Sequence, residues 1–461
     1  MSFFKKIFGG EKEQTKAPKP QGNKPEKVTL FVNTGNPTPI TKSKFPFGRY
    51  TDRNKTNAQR AKWKEAVNLF NQKNYLASHT ELMEYIKDNE INNLKYSVSG
   101  DTLSFEFIQG SNIIKGTSNK DKFEAISNIA KMDTPSVPVM NKLMRMNLML
   151  KYSKFALKDN TICMKFSSYL VDASPNKIYY GLQELARKAD QQDDLLISEF
   201  SSIKEIEEET TISTDALKQA TQIKYIRQWI SETMQEINRL DKNSFSGGIA
   251  FLLLNLTYKI DYLIKPQGVL MNSLDKIHNI FFAKNEETTQ QKNTKIIDVF
   301  NEIVTWDDAK LKEGLYDTIS TYSLVNPKDH KGVMDTIFKE IKKADWYVTN
   351  GYPKIVDSIY EYAVSYAFFT YGMHYPTMHI FDLVMNIYNP SFYDEMGIKT
   401  NYVDNQGNLK REAVLSKIHH VVSASKQEFP KIDFRVRNLK FDNKRTFYHS
   451  LMTEADYLNY N

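Results

Sequence analysis

Histidine is the first side chain to test for chemistry, because imidazole binds metals and moves protons near neutral pH. The chain has eight: His79, His278, His330, His374, His379, His419, His420 and His449. The strongest metal-ligand set among them is His374 and His379 with Asp382. A five-residue step turns a helix of about 3.6 residues per turn by about 140°, so the two rings diverge, and Pro376 falls between them. Histidines four residues apart would share a face; His419 and His420 are adjacent and do not. The carboxylate pairs Asp193-Asp194 and Asp307-Asp308 diverge by about 100° on a helix, which suits solvated helix ends better than two groups flanking one bond. No Gly-x-x-x-x-Gly-Lys-Ser/Thr phosphate loop and no Gly-x-Ser-x-Gly elbow occurs. Cys163 is the single cysteine, so it forms no internal disulfide or thiolate cluster; its alternating apolar run points to packing in a reducing compartment. No catalytic, cofactor-binding or metal-binding residue can be named from these patterns.

The formal charge of +7 suggests a nucleic-acid partner until it is located. Residues 1–55 hold 12 Lys or Arg against 4 Asp or Glu, and the remainder is nearly neutral. A duplex reader needs a basic face to neutralise phosphates, so no specific nucleic-acid partner is expected, and the basic tail allows at most weak membrane-surface contact. The aromatic run Tyr360, Tyr362, Tyr366, Phe368, Phe369, Tyr371 and Tyr375 has no Lys or Arg between Lys354 and Lys399. It lacks the cations of a base-stacking groove and reads as core. The most apolar stretch, Ile249–Leu254, is soon followed by Lys259 and Asp261, whereas a spanning helix needs about 20 apolar residues. The N-terminus carries no long apolar region or cleavage site, and a cytoplasmic location is expected.

The elements that position these residues follow from periodicity. At about 150 residues per domain, 461 residues make two or three domains, and 12% aromatic content excludes wholesale disorder. Residues 1–55 read as a basic, largely disordered tail, 56–205 as an α+β domain and 206–461 as a mostly helical domain. Within the tail, Phe3, Phe4, Ile7 and Phe8 fall on one face of a short helical turn and suit a partner-docking peptide. Apolar positions between Ala58 and Asp88 recur every three or four residues, giving two helices. The alternating runs Leu94–Val98, Leu103–Phe107 and Ile113–Thr117, split by turn residues, form an antiparallel meander. Lys122–Met132 fits strand or helix. Then come a helix over Val139–Leu150, a hairpin of Tyr152–Leu157 and Thr161–Leu170, and a long helix over Pro175–Phe200.

Within Val139–Phe200, the residues Asn147, Ser153-Lys154-Phe155, the Asp159-Asn160 turn, Tyr169-Leu170 and the helix end from Ala189-Asp190 to Phe200 carry a resemblance. The stretch resembles the YbjN domain, whose fold is shared with type III secretion chaperones, and the resemblance covers about residues 60–205. It implies a helix-covered antiparallel sheet, frequent dimerisation and protein binding, and it implies no catalysis. Beyond the acidic boundary Ser201–Thr214 the pattern predicts helices, including Ala309–Tyr322, and a short hairpin from Ile432–Val436 and Leu439–Phe441.

The expected protein is a non-enzymatic cytoplasmic adaptor or chaperone, without cofactor, that binds a protein partner or client through the secretion-chaperone-like module. Two other classes compete: an enzyme or toxin with an unrecognised active site in the helical half, and a structural subunit of a larger assembly. On Val139–Leu150 apolar residues cover about 260° of the circumference, more than one sheet-covering stripe needs. Met146 and Met149 are therefore assigned to a second partner, either another subunit in a homodimer or the helical half, while Met140, Leu143 and Leu150 cover the sheet. Together with Phe3, Phe4, Ile7 and Phe8, they are the expected protein-binding residues.

Overall fold

Thr56 starts the first helix: its hydroxyl accepts from the Gln59 N–H, and the Gln59 side chain accepts in return from the Thr56 N–H, a capping box. The computed structural model describes residues 47–206, 214–399 and 402–461, so Phe3, Phe4, Ile7 and Phe8 lie outside the described residues. Helices α1 (Asn57–Asn71) and α2 (Tyr75–Ile86) lead into the meander β1 (Leu94–Ser99), β2 (Thr102–Gln109) and β3 (Asn112–Ser118). The ambiguous stretch is β4 (Lys122–Met132). A bulge between Asn128 and Ala130 breaks its alternation, which leaves the successive residues Ile129 and Ala130 both buried.

After α3 (Val137–Asn147), strands β5 (Ser153–Lys158) and β6 (Thr161–Tyr169) form the second hairpin. Its turn residues Asp159 and Asn160 have φ of 48° and 59°, the left-handed conformation that a two-residue hairpin loop demands and that Asp and Asn tolerate. Helix α4 (Pro175–Glu199) starts at Ser174, whose hydroxyl accepts from the Lys177 N–H. The short β7 (Ile203–Lys204) pairs with β4. The sheet order is β1-β2-β3-β4-β6-β5, antiparallel throughout. One face carries Phe105, Phe107, Phe123 and Phe166 against Ile178, Leu182, Leu185 and Ala189 of α4. A Cβ on Gly181 would lie 2.5 Å from the Phe166 ring, so glycine sets how closely α4 lies on the sheet.

The C-terminal part is mostly helical: α5 (Ala216–Ile237), α6 (Ser246–Ile264), α7 (Gly268–Phe282), α8 (Thr289–Thr305), α9 (Asp308–Lys312), α10 (His330–Ile341), α11 (Asp345–Thr349), α12 (Pro353–Thr370), α13 (Tyr375–Tyr388), α14 (Pro390–Glu395), α15 (Arg411–Ser425) and α16 (Lys444–Ala455). Among the described residues α6 alone is long and apolar enough to cross a membrane, and 83% of that stretch is buried inside the protein. A mixed α+β fold, with an antiparallel sheet followed by a helical region, is thus the architecture.

Three expectations need correction. The span assigned to the tail is packed from Phe47 onward: Phe47 is 6% exposed within the helical core, and Arg49 reaches Asp261 at 2.6 Å and Asp275 at 2.7 Å. The helix expected over Ala309–Tyr322 ends at Lys312. Residues 313–325 instead form a non-helical strap to the sheet: Gly110 donates to the Ile319 carbonyl at 2.9 Å, and the Thr321 and Tyr322 N–H groups donate to Gln109 Oε1 at 3.1 and 2.9 Å. The terminal hairpin is absent among the described residues; Val436–Asn438 is a single 3-10 turn, and Asn443 then caps α16 by accepting from the Thr446 N–H.

Candidate functional site

The residues with chemical potential occupy separate settings. His374 occupies the N-cap position of α13 without a side-chain capping bond, stacks on Tyr460 with ring centroids 4.4 Å apart, and lies 3.5 Å from Arg53; burial, then Arg53, pushes its pKa down to about 4. His379 is buried beside Lys417, and burial with that cation pushes it down to about 3. Asp382 accepts from the Tyr262 and Tyr393 hydroxyls at 2.8 and 2.6 Å. Among the described residues no three His, Cys, Asp or Glu side chains gather as a metal-ligand set. Cys163 is fully buried in β6.

Asp307 and Asp308 do sit at an exposed helix start, where Asp307 accepts from the Lys310 N–H at 2.8 Å. Asp193 is no solvated helix end. It is 7% exposed and accepts from Asn112 Nδ2 at 2.6 Å and from the Ser111 hydroxyl. Asp190, one turn earlier, accepts from the Ser111 N–H at 3.2 Å. Burial raises Asp190 to about 7 and Asp194 to about 6, and it holds Asp193 well above the usual carboxylate range. Asp190 and Asp193 fasten the β2–β3 corner.

Exposed apolar side chains follow β4, and of the two expected residues there only Met149 is among them. Helix α3 stops at Asn147. The Asn147 amide donates to the Phe155 carbonyl at 3.1 Å, and its oxygen accepts from the Phe155 N–H at 2.7 Å. Val139 and Leu143 are buried, and Met146, at the i, i+4, i+7 position with them, packs half-buried on the same core. Met146 therefore packs on the sheet-side core and does not belong to the exposed stripe. Met149 is 82% exposed, and it is joined by Val137 (74%), Met144 (59%) and Leu148 (85%), which sequence reading did not single out. Among the described residues Met149 is not part of the helical core.

A second surface was not legible before pairing was known. Across β1, β2, β3, β4, β6 and β5 the register aligns Lys95, Glu106, Lys115, Ile126, Lys165 and Lys154 on the face away from α4. They line an open hollow of about 830 Å³. The signal was present in each strand as a polar residue on the alternate face, yet only the register puts those residues in one row. No protein-family model matches the chain, and no curated protein matches it.

Proposed function

We propose that the chain is a cytoplasmic, non-enzymatic adaptor or chaperone of the YbjN type, which holds an apolar segment of a partner protein on α3. The observation that carries this reading is the exposed stripe of Val137, Met144 and Leu148, continued by Met149. Large apolar side chains grouped on a surface mark interaction sites, and methionine adapts to varied partners. Strand addition is disfavoured at the neighbouring edge strand β5. Asn147 occupies the Phe155 N–H and carbonyl, and Glu184 accepts from the Ser153 N–H at 2.8 Å. Side-chain docking is the route left. The element order from α1 to α4 also supports the YbjN likeness.

The test uses the full chain carrying Met144→Glu and Met149→Glu. The reading expects a partner recovered from native lysate at fixed stoichiometry with the wild type and lost with the variant, while the melting temperature changes little. Light scattering identifies the competing occupant: a wild-type dimer that the variant dissolves would make the surface a contact between two copies. Equal recovery with both proteins would exclude α3 as the site.

A further inference from the structure

The antiparallel sheet buries one face under α4, and the central part of the other face lines the open hollow. On that open face the central row reads Lys95, Glu106, Lys115, Ile126, Lys165, Lys154, one residue per strand. Lys165 and Lys154 stand directly opposite each other, an arrangement in which like charges destabilise a strand pair. Lys158 adds a further cation from β5. None of Lys95, Lys115, Lys154, Lys158 and Lys165 has an ion pair among the described residues; on this face the Lys122–Glu124 pair is closed at 2.6 Å. A sheet that keeps these unpaired lysines together is complementary to an anionic partner.

The flanking rows decide what kind of anion. On one side Ile108 lies opposite Ile113, and Cys163 lies opposite Ala156; on the other run Ser97, Ser104, Thr117, Glu124 and Ser167. The lysine row is thus bordered, about 6.6 Å away along the strands, by a mixed row in which Ile108 and Ile113 form an apolar pair and the exposed Asn128 lies between them and the buried Cys163. Nucleic acid would want aromatic side chains to stack on and no carboxylates in its path. The row has neither an aromatic side chain nor freedom from acid, since Glu106 lies within it and Glu124 beside it. Strands stand about 4.8 Å apart and a helix advances about 5.4 Å per turn, so a helix laid across the strands meets successive strands with successive turns.

We propose that this face binds an acidic amphipathic helix of a partner protein, with Asp or Glu on the turns over Lys115, Lys165 and Lys154, the turn between the first two lying over Ile126, and an apolar stripe over Ile108 and Ile113. The proposal rests on the protein-binding reading above but places the contact on a different surface from α3. The experiment measures fluorescence anisotropy of a labelled 21-residue helical peptide, with Glu on one stripe and Leu on the next, titrated with the full chain. Controls are the same peptide with Gln for Glu and a 20-nucleotide oligo(dT). The Glu peptide is expected to bind in a salt-sensitive manner, and the Gln peptide at least tenfold more weakly. Lys115→Gln with Lys154→Gln and Lys165→Gln should weaken the Glu peptide at least tenfold without lowering the melting temperature, and Ile113→Asp should weaken it independently. Absence of binding, equal binding by the lysine variant, or tighter binding of oligo(dT) overturns the proposal. The Met144→Glu, Met149→Glu variant keeps the two readings apart: it should leave peptide binding intact even where partner recovery is lost.

Discussion

Asp190, Asp193 and Asp194 fall within about one turn of α4, where the β2–β3 corner meets the strap. Gly110 is there because nothing larger fits: its φ is 58°, and an added Cβ would lie 1.6 Å from Asp190 Oδ1. Glu205 and Glu313 add negative charge around Asp194. Burial, first, keeps these carboxyls protonated at a pH where an unfolded chain has released its protons. Between about pH 4, where free carboxylates titrate, and about 7, the value for Asp190, the folded chain holds protons that the unfolded chain lacks. The contribution of Asp190 to stability therefore falls as pH rises through that window and levels off above it. Asp190→Asn removes one ionisable group and keeps an oxygen for the Ser111 N–H. In urea denaturation the variant should exceed the wild type by about 1 to 3 kcal/mol at pH 8, with the advantage vanishing near pH 4. A wild type that gains stability from pH 5 to pH 7 relative to the variant would show the carboxylate to be a favourable partner there.

At the scale of elements, β5 is an edge strand whose outward groups are occupied by side chains from α3 and α4. Asn147→Leu removes both bonds to Phe155; the expected cost is about 1 to 2 kcal/mol, with concentration-dependent association through the reopened edge, read by thermal melts and light scattering. The meander and the β5–β6 hairpin were legible because alternation and turn chemistry agree, and β4 was obscured by its bulge. The strap was misread for a different reason. Leu311, Leu315, Ile319 and Tyr322 mimic helical spacing, while the partners that hold the strap, the Gln109 side chain at two backbone N–H groups and the Ile108 carbonyl at the Thr321 hydroxyl, lie about two hundred positions away and leave no local trace. By contrast α16, which was not expected, carried a local signal in Asn443 with Phe447, Leu451 and Ala455 at four-residue steps, and the place of Met146, assigned above to the other face, followed from its spacing from Val139 and Leu143. The lysine row belongs to the first kind, since register is a property of pairs of strands and not of any one of them.

At the scale of the whole molecule, the sheet module and the helical region keep separate hydrophobic cores, and Tyr322 from the strap is a buried member of the sheet-side core. Its ring lies 5.7 Å from Phe107 and 5.3 Å from Tyr179. In the other direction Arg49 enters the helical side, where Asp261 and Asp275 bind it and the Phe369 ring lies 3.9 Å beneath. Each core is thus completed by a residue distant from it in sequence, which ties the two to one unfolding transition rather than two. Tyr322→Ala should cost about 3 to 5 kcal/mol by opening a cavity beside Phe107 and Tyr179, and both cores should melt together at the lower temperature. Tyr322→Phe separates the ring from its hydroxyl, which is buried without a hydrogen-bond partner. Removing that hydroxyl relieves a desolvated polar group, so the phenylalanine variant should match or exceed the wild type by up to about 1 kcal/mol. The two variants are read by differential scanning calorimetry together with near-ultraviolet circular dichroism. A helical core that stays folded after the sheet signal of Tyr322→Ala is lost would show that the strap does not couple the halves.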